Sequence, residues 1–188
     1  MTASGISPSA VETFTARERE LFVQRNPKSV ALSERARQSL FGGVPMHWMA
    51  DWSTPSPLFV ERAKGARFYD VDGHEYIDFC LGDTGSMFGH SPDPIAKAIA
   101  EQGNNGLTTM LPGEDAVVAG ELLAARFGLP FWQVTATATD SNRYVLRWAR
   151  AITERKVLLV FDGCYHGTVD DVMVRCHDGA TQPRSGLI

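Results

Sequence analysis

The chain has 188 residues, of which 44% are hydrophobic and 21% are charged, and its formal net charge is −4. These values are typical of a soluble globular protein, and the interspersed acidic and basic residues give no reason to expect a nucleic acid or an anionic membrane as partner. No apolar run approaches the roughly 18 residues of a membrane span, and the N-terminus lacks a signal-peptide pattern, so the sequence predicts a cytoplasmic protein.

The N-terminal part predicts a loose start followed by two helices. Residues 2–9 are rich in Ser, Thr, Gly and Pro, which favours disorder or loose attachment. Residues 10–24 place apolar side chains among Arg and Glu at helical spacing. Residues 33–40 predict a second short helix that ends at Gly42 and Gly43.

A three-stranded antiparallel meander is predicted next. Its β-rich runs are residues 58–60, 66–71 and 76–79. Lys64-Gly65 and Asp72-Gly73 separate these runs, and Asp-Gly is a strong hairpin signal. We expect the meander to have a structural role.

A glycine-rich loop at residues 82–90 follows the meander. It lacks the Gly-x-Gly-x-x-Gly order and the preceding parallel strand of a dinucleotide site. We interpret His90 as a capping or packing histidine rather than a catalyst, because no carboxylate or nucleophile is spaced to use it. Apolar spacing then predicts two amphipathic helices, at residues 94–102 and 115–127, that pack on a sheet.

Residues 131–161 predict a strand, a helix and a second strand. The β-favouring run 131–135 and the apolar run 157–161 flank a predicted helix over residues 140–153. Parallel strands joined by a helix make a right-handed crossover and bind ligands at their carboxyl ends. The sequence therefore predicts a parallel sheet with a ligand site where these two strands end.

Small side chains and helix N-cap residues follow the first of these strands, from Thr135 to Asn142. Free backbone N–H groups and the positive end of the helix dipole make such a junction an anion site, and the hydroxyls of Thr137 and Thr139 can add donors to a phosphate. The second strand leads to an aromatic residue, Tyr165. A phosphate site facing an aromatic ring indicates a flat, phosphorylated cofactor.

These residues resemble the class III (fold type I) pyridoxal-phosphate aminotransferases, most of all the branch containing glutamate-1-semialdehyde aminomutase and amino-acid transaminases. The family sequence Asn-Ser-Gly-Thr-Glu-Ala corresponds to residues 136–141 of this chain, which are Ala-Thr-Ala-Thr-Asp-Ser. The family's Tyr-His-Gly is unchanged as residues 165–167. Thr137 keeps a hydroxyl and Asp140 keeps the acid. Ala138 replaces a glycine whose missing Cβ lets the backbone approach phosphate or adopt a positive φ.

The resemblance implies a cofactor, pyridoxal 5'-phosphate (PLP), and a fold, a partial α/β fold type I PLP-transferase. In that fold an N-terminal helix and an antiparallel β-meander precede the first βαβ part of the large-domain parallel sheet. Thr137, Ala138 and Thr139 would hold the phosphate, Tyr165 would stack on the ring, and His166 would support the loop or brace the substrate side. No metal site is implied.

The resemblance also implies substrate-side residues and a homodimer. His47, Trp48, Ser86 and Met87 would face a small-molecule amino donor or acceptor, although packing in a loop is an equally open role for the first two. The loop between the two amphipathic helices would lie at the dimer interface. The three cysteines Cys80, Cys164 and Cys176 form no Cys-x-x-Cys motif, which favours reduced thiols over disulfides or a zinc site.

The chain carries only part of what such an enzyme needs. Its lysines are Lys28, Lys64, Lys97 and Lys156, and none stands in a context resembling the family's Schiff-base lysine. Residues 179–188 predict no helix or strand, so we expect an N-terminal fragment whose sheet edges are unpaired and prone to aggregation. We divide the chain into a flexible N-terminus and helix (1–30), a segment with the meander (31–80) and an incomplete PLP-binding large domain (81–188).

Three functional hypotheses follow. The first is the N-terminal part of a PLP-dependent aminotransferase, which moves an amino group between an amino acid or amino-aldehyde and a 2-oxo acid, or of the related aminomutase, inactive alone without the lysine. The second is a non-catalytic derivative that binds a phosphate ester or a protein partner. The third makes Cys164 and His166 a thiol-hydrolase pair, which their spacing of two residues disfavours.

Overall fold

The computed structural model describes Gly5 and residues 7–184, and it divides into two compact units, Met1–Thr108 and Thr109–Ile188. The helices are α1 (Pro8–Arg25), α2 (Pro27–Ala36), α3 (Asp93–Gly103), α4 (Glu114–Phe127) and α5 (Ala138–Thr153). The strands are β1 (Val60–Lys64), β2 (Arg67–Asp70), β3 (Glu75–Ile77), β4 (Val174–His177) and β5 (Ala180–Pro183). Within the described residues, no helix is long and apolar enough to cross a membrane. The predicted domain bounds stay a prediction.

A single residue, Asn26, separates the first two helices. Its side-chain Nδ2 donates to the Phe22 carbonyl 2.8 Å away, and Pro27 stands in the first turn of α2, where a missing N–H is harmless. The second predicted helix had the wrong bounds, because this proline start was not recognised. A short 3₁₀ turn at Phe41–Gly43 follows α2, and the positive φ of Gly42 (68°) and Gly43 (75°) ends the helical path.

The three-stranded meander is confirmed. β2 pairs antiparallel with β1, from Lys64 opposite Arg67 to Val60 opposite Asp70, and with β3, from Arg67 opposite Ile77 to Tyr69 opposite Glu75. The first strand begins at Val60 instead of residue 58, and its register shifts between Val60 and Arg62. Every strand of the meander pairs with a neighbour that is only a few residues away across a tight turn.

A buried carboxylate, Asp70, fixes the turn between β2 and β3. Its side chain is 0% exposed and accepts hydrogen bonds from the His74 N–H (2.8 Å) and the Tyr76 hydroxyl (2.9 Å). Burial raises the pKa of Asp70, but the hydrogen bonds from His74 and Tyr76 lower it by more, so the net pKa lies below its ordinary value. Burial and the Asp70 carboxylate raise the pKa of Tyr76 to about 12.

The same turn holds the start of α2. The carboxylate of Asp72 accepts from the backbone N–H groups of Lys28 (2.8 Å) and Ser29 (3.0 Å), which are among the donors that a helix N-terminus leaves free. A negative charge at this end also suits the helix dipole. Asp72 therefore ties the meander to α2.

His90 has a carboxylate partner that the sequence did not reveal. Its Nε2 lies 2.6 Å from Asp78 Oδ2, and its Nδ1 lies 3.3 Å from the Ser86 hydroxyl. The hydrogen bond from His90 lowers the pKa of Asp78, and the N–H groups of Cys80 and Leu81 add to this. The expectation that no carboxylate or nucleophile is spaced to use His90 was wrong, because the folded loop brings Asp78, twelve positions earlier in the chain, back to it. Its packing role is the one that the contacts support.

Helices α3, α4 and α5 agree with the sequence, whereas the two strands predicted around α5 are absent. Residues 131–135 and 157–161 form no strand, and no ladder joins them to each other or to the rest of the described chain. A hairpin of β4 and β5 is present instead, with Val174 opposite Pro183 and His177 opposite Ala180. The prediction of no strand after residue 178 was therefore wrong.

Candidate cofactor site

The start of α5 is an N-cap built by Thr137. Its Oγ accepts from the Asp140 N–H (3.1 Å) and donates to the Asp140 carboxylate (2.9 Å), while its carbonyl accepts from the Ser141 N–H (3.1 Å). This reciprocal arrangement resembles a capping box. It directs the Thr137 hydroxyl proton to Asp140, so this hydroxyl is not free to donate to a phosphate at the same time.

The next two residues leave their backbone N–H groups available. Ala138 and Thr139 occupy the first two positions of α5, where a helix offers no internal acceptor. Both lie in the first turn of α5 and not in its interior, which is the condition that an anion site at a helix N-terminus requires. Ala138 does not have a positive φ, so the alanine at this position adds no backbone strain.

The loop that carries Tyr165 docks on this first turn. The Thr168 N–H donates to Thr139 Oγ (3.2 Å), and Asn142 Nδ2 donates to the His166 carbonyl (3.0 Å). Gly167, with φ of 79°, passes so close that a Cβ there would lie 2.5 Å from Thr139 Oγ. The structure therefore brings the predicted phosphate residues and the Tyr-His-Gly loop together.

Tyr165 is 66% exposed, and two contacts from the hairpin hold its loop. The Arg184 guanidinium lies 5.8 Å from the centre of the Tyr165 ring and donates to the Cys164 carbonyl (3.3 Å). The Cys176 N–H donates to Asp162 Oδ1 (3.1 Å) at the start of the same loop. Sequence reasoning missed Asn142, Asp162 and Arg184, since only the fold brings them to the loop.

Charge near the site is partly balanced. Asp140, which would repel a phosphate, pairs with Arg143 at 3.6 Å on the next turn of α5. Thr139 Oγ accepts from Thr168, which leaves its own proton available to an anion. The first turn of α5 thus offers two N–H donors and one O–H donor.

The predicted substrate-side residues all lie in the first unit. His47 and Trp48 begin the 3₁₀ turn His47–Ala50, and both are exposed. Ser86 is half-buried beside His90, whereas Met87 is exposed. Their role toward substrate stays a prediction.

The geometry does not support the third hypothesis, in which Cys164 and His166 form a thiol-hydrolase pair. Cys164 is an exposed free thiol, and no hydrogen bond joins it to His166 within the described residues. The hydrogen bonds of these two residues are made by their backbone: both carbonyl groups accept, and the Cys164 N–H donates to the Phe161 carbonyl (3.3 Å).

Residues 48–185 match the family model for class-III aminotransferases. The chain belongs to the class-III aminotransferase family. It is 35% identical to glutamate-1-semialdehyde 2,1-aminomutase of Methanocaldococcus jannaschii over 158 residues, which are 81% of this chain and 36% of that protein.

Two solved structures confirm the fold class. A lysine-to-alanine variant of a glutamate-1-semialdehyde aminomutase from Pseudomonas aeruginosa PAO1, in complex with PMP, superimposes with a TM-score of 0.91 at 45% identity, over 98% of this chain and 41% of that one. An ω-transaminase from Sphaerobacter thermophilus gives a TM-score of 0.73 at 32% identity, over 88% and 40% of the two chains. The α/β fold of a class-III aminotransferase is therefore present in part, since the chain spans about two fifths of these structures.

Proposed function

We propose that this chain supplies the phosphate-binding and ring-binding side of a PLP-dependent amino-transfer site. The observation that carries the proposal is the hydrogen bond from the Thr168 N–H to Thr139 Oγ. It fixes an exposed tyrosine loop against a helix N-terminus with free N–H groups, which are the two halves that a flat phosphorylated cofactor requires.

The residues of the first turn of α5 and of the Tyr165 loop fit PLP. The N–H groups of Ala138 and Thr139 and the Thr139 hydroxyl would bind the phosphate, Tyr165 would cover one face of the ring, and Asn142 would hold the His166 carbonyl so that the loop keeps its position. Thr137 would act indirectly, by capping the helix. When bound, PLP supplies an electron sink for bond cleavage at the amino-bearing carbon.

The reaction would be amino-group transfer between an amino acid or amino-aldehyde and a 2-oxo acid, or its aminomutase variant. Two of the three relatives named above are aminomutases, at 35% and 45% identity, and this supports the aminomutase. A cytoplasmic location and a homodimer of the complete protein belong to the same proposal.

The second unit has no lysine near the first turn of α5 that could attach the cofactor covalently. Lys156 is the lysine of that unit, and it follows the C-terminus of α5. A helix of 16 residues spans about 24 Å, so Lys156 lies far from the first turn. We therefore propose that the chain does not transaminate alone.

Binding of pyridoxamine 5'-phosphate (PMP) tests the proposal, because PMP carries an amine and needs no Schiff-base lysine. We expect the chain to bind PMP in a fluorescence titration, and we expect Thr139→Val to weaken binding roughly ten-fold through loss of a hydroxyl donor to a charged group. Thr153→Val is the matched control at the other end of α5, where the hydroxyl donates to the Ala149 carbonyl. Equal PMP affinity of the two variants would contradict the phosphate site.

A non-catalytic phosphate-ester protein is the second candidate, and the distance of Lys156 from the site favours it. Inorganic phosphate separates the two candidates. A cofactor site should bind PMP at least about ten-fold more tightly than phosphate, and Tyr165→Leu should remove most of that preference. A site that binds both equally, with no effect of Tyr165→Leu, supports the second candidate.

A further inference from the structure

A groove of about 600 Å³ lies in the first unit, between α1, the loop at residues 53–55 and the meander. Its volume falls within the range of small-molecule pockets, which is roughly 300–1,000 Å³. All of its lining residues belong to this one unit, and none of them belongs to the candidate cofactor site.

Two arginines that line the groove, Arg19 and Arg25, carry charges that are not neutralised. Within the described residues, neither side chain makes an ion pair or a hydrogen bond, and both are exposed. The acidic residue of the lining is Glu18, and its carboxylate already pairs with Arg17 at 2.9 Å. The groove therefore has an excess of positive charge. A carboxylate suits this charge, because a planar guanidinium group binds a carboxylate through paired N–H donors.

Aromatic rings form much of the apolar lining of the groove. Phe14 and Phe22 contribute from α1, and Tyr76 contributes from β3. The Tyr76 hydroxyl donates to Asp70 (2.9 Å), and its ring stacks on Phe68 with the ring centres 4.8 Å apart, so this ring is held in place. Phe14 is 56% exposed. A ligand with an aromatic ring would cover these side chains in the stacked or edge-to-face arrangements that aromatic pairs prefer.

Two hydrogen-bond acceptors complete the lining. Asn26 is 4% exposed, and its Oδ1 has no partner within the described residues, whereas its Nδ2 donates to the Phe22 carbonyl. His74 Nδ1 lies 3.0 Å from Asp70 Oδ2, and Asp70 is ionised at neutral pH because its pKa is lowered. The proton of a neutral His74 ring is therefore on Nδ1, which leaves Nε2 as an acceptor. A buried acceptor without a donor calls for a bound polar group, and an N–H would satisfy either residue.

We infer that this groove binds a small aromatic carboxylate that also carries an N–H donor. The carboxylate would pair with Arg19 and Arg25, the ring would lie on the aromatic side chains, and the N–H would donate to Asn26 or His74. Charge, volume and the unpartnered acceptor together select this class of ligand. The inference goes beyond the proposed function and uses no residue of the cofactor site.

Indole-3-acetate is the probe, because it combines a carboxylate, an aromatic ring and an N–H group. Two analogues separate these features, since indole-3-acetamide lacks the charge and 1-methylindole-3-acetate lacks the ring N–H. The ligand is varied here because Asn26 and His74 also hold the fold. We expect saturable binding of indole-3-acetate by calorimetry, binding of the amide that is at least about ten-fold weaker, and binding of the methylated acid that is about five-fold weaker. The amide chemical shifts that change in NMR spectra should be those of α1 and of residues 53–55 and 74–76.

Matched arginine substitutions locate the carboxylate. Arg19→Gln and Arg25→Gln each remove one guanidinium group from the groove, whereas Arg35→Gln makes the same charge change at an exposed position of α2 outside it. We expect each groove variant to weaken indole-3-acetate binding roughly ten-fold and Arg35→Gln to weaken it less than about two-fold. Helix content by circular dichroism should match the parent chain in all three variants.

Four outcomes would overturn the inference. They are no saturable binding of indole-3-acetate, equal affinity for the acid and its amide, chemical-shift changes centred on α4 or α5 instead of the groove, and equal losses in Arg19→Gln and Arg35→Gln. PMP titration of the parent chain keeps the two proposals separate. PMP binding without indole-3-acetate binding contradicts only the groove, and the reverse result contradicts only the cofactor site.

Discussion

The meander of the first unit and the segments flanking α5 in the second unit were predicted as strands from the same kind of residues, yet only the meander is a sheet. Each meander strand meets its partner across a turn of a few residues, and Asp70 satisfies the polar groups of one of these turns. Residues 131–135 and 157–161 are joined by a helix, and strands of that kind depend on neighbours brought from elsewhere. An apolar run thus predicts the need for a strand partner, not its presence.

The largest expected effect falls on the meander, whose strands pair with one another. Asp70→Ala leaves the His74 N–H and the Tyr76 hydroxyl without an acceptor at a buried position, which should destabilise the meander by about 3 kcal/mol. Hydrogen exchange of residues 60–77 measures this, and Asp51→Ala at an exposed loop position is the control. If Asp70→Ala raises amide hydrogen exchange in α5 as much as in the meander, the proposed difference between the two regions is contradicted.

A smaller effect is expected in the second unit, where the loop that carries Tyr165 contacts the first turn of α5. Gly167→Ala places a Cβ 2.5 Å from Thr139 Oγ at a φ of 79°, so the loop must leave the helix. Gly163→Ala has a similar φ of 76° but meets no atom within 4 Å, which isolates the clash from the backbone strain.

We expect the clash at Gly167 to add about 1–2 kcal/mol to the strain that both variants share, and to weaken PMP binding by roughly ten-fold more than Gly163→Ala does. Equal losses in the two variants would mean that the loop is not held where Thr139 meets it. PMP titrations of both variants make this measurement.

Acid should destabilise the first unit through two carboxylates, Asp70 and Asp78. The pKa of Asp78 is lowered by His90 and that of Asp70 by its hydrogen-bond donors, against an unfolded value of about 3.9. Both carboxylates therefore stabilise the fold above that pH, and the stabilisation disappears as the pH falls through the lowered values. Asp78→Asn should flatten this dependence, as measured by exchange in β3 between pH 5 and pH 2, roughly the range over which such groups titrate.

The smallest expected effect concerns the hold of the hairpin on Tyr165. Arg184→Met removes a guanidinium 5.8 Å from the ring and a donor to the Cys164 carbonyl, with a loss of about 0.5–1 kcal/mol. PMP affinity should fall by roughly two- to five-fold. Arg175→Met, on the same hairpin, is the matched control, and an equal loss there would show that Arg184 has no special position.

Much of this fold could be predicted from the sequence where the signals are local. Helical spacing predicted α1, α3, α4 and α5, and the Asp72-Gly73 turn predicted the meander. The N-cap at Thr137 and the Tyr-His-Gly loop predicted the two halves of the candidate site, and they meet in the structure.

The sequence-based predictions that failed depended on contacts between residues far apart in the chain. His90 meets Asp78 only after the loop folds, and Arg184 meets Tyr165 only after the β4–β5 hairpin turns back. The segments 131–135 and 157–161 carry the composition of strands, but composition does not tell which chain segment provides the neighbour. The family resemblance predicted the cofactor residues without showing that Thr137 uses its hydroxyl as a cap.

The single residue between α1 and α2 determines how α1 is rotated about its own axis relative to α2. Asn26 is the C-cap of one helix and the N-cap of the next, so no slack exists between them. Because an α-helix turns about 100° per residue, one inserted residue would rotate all 18 residues of α1 by more than a quarter turn about its axis. Length variation at this junction should thus be far less tolerated than substitution along the exposed surface of α1.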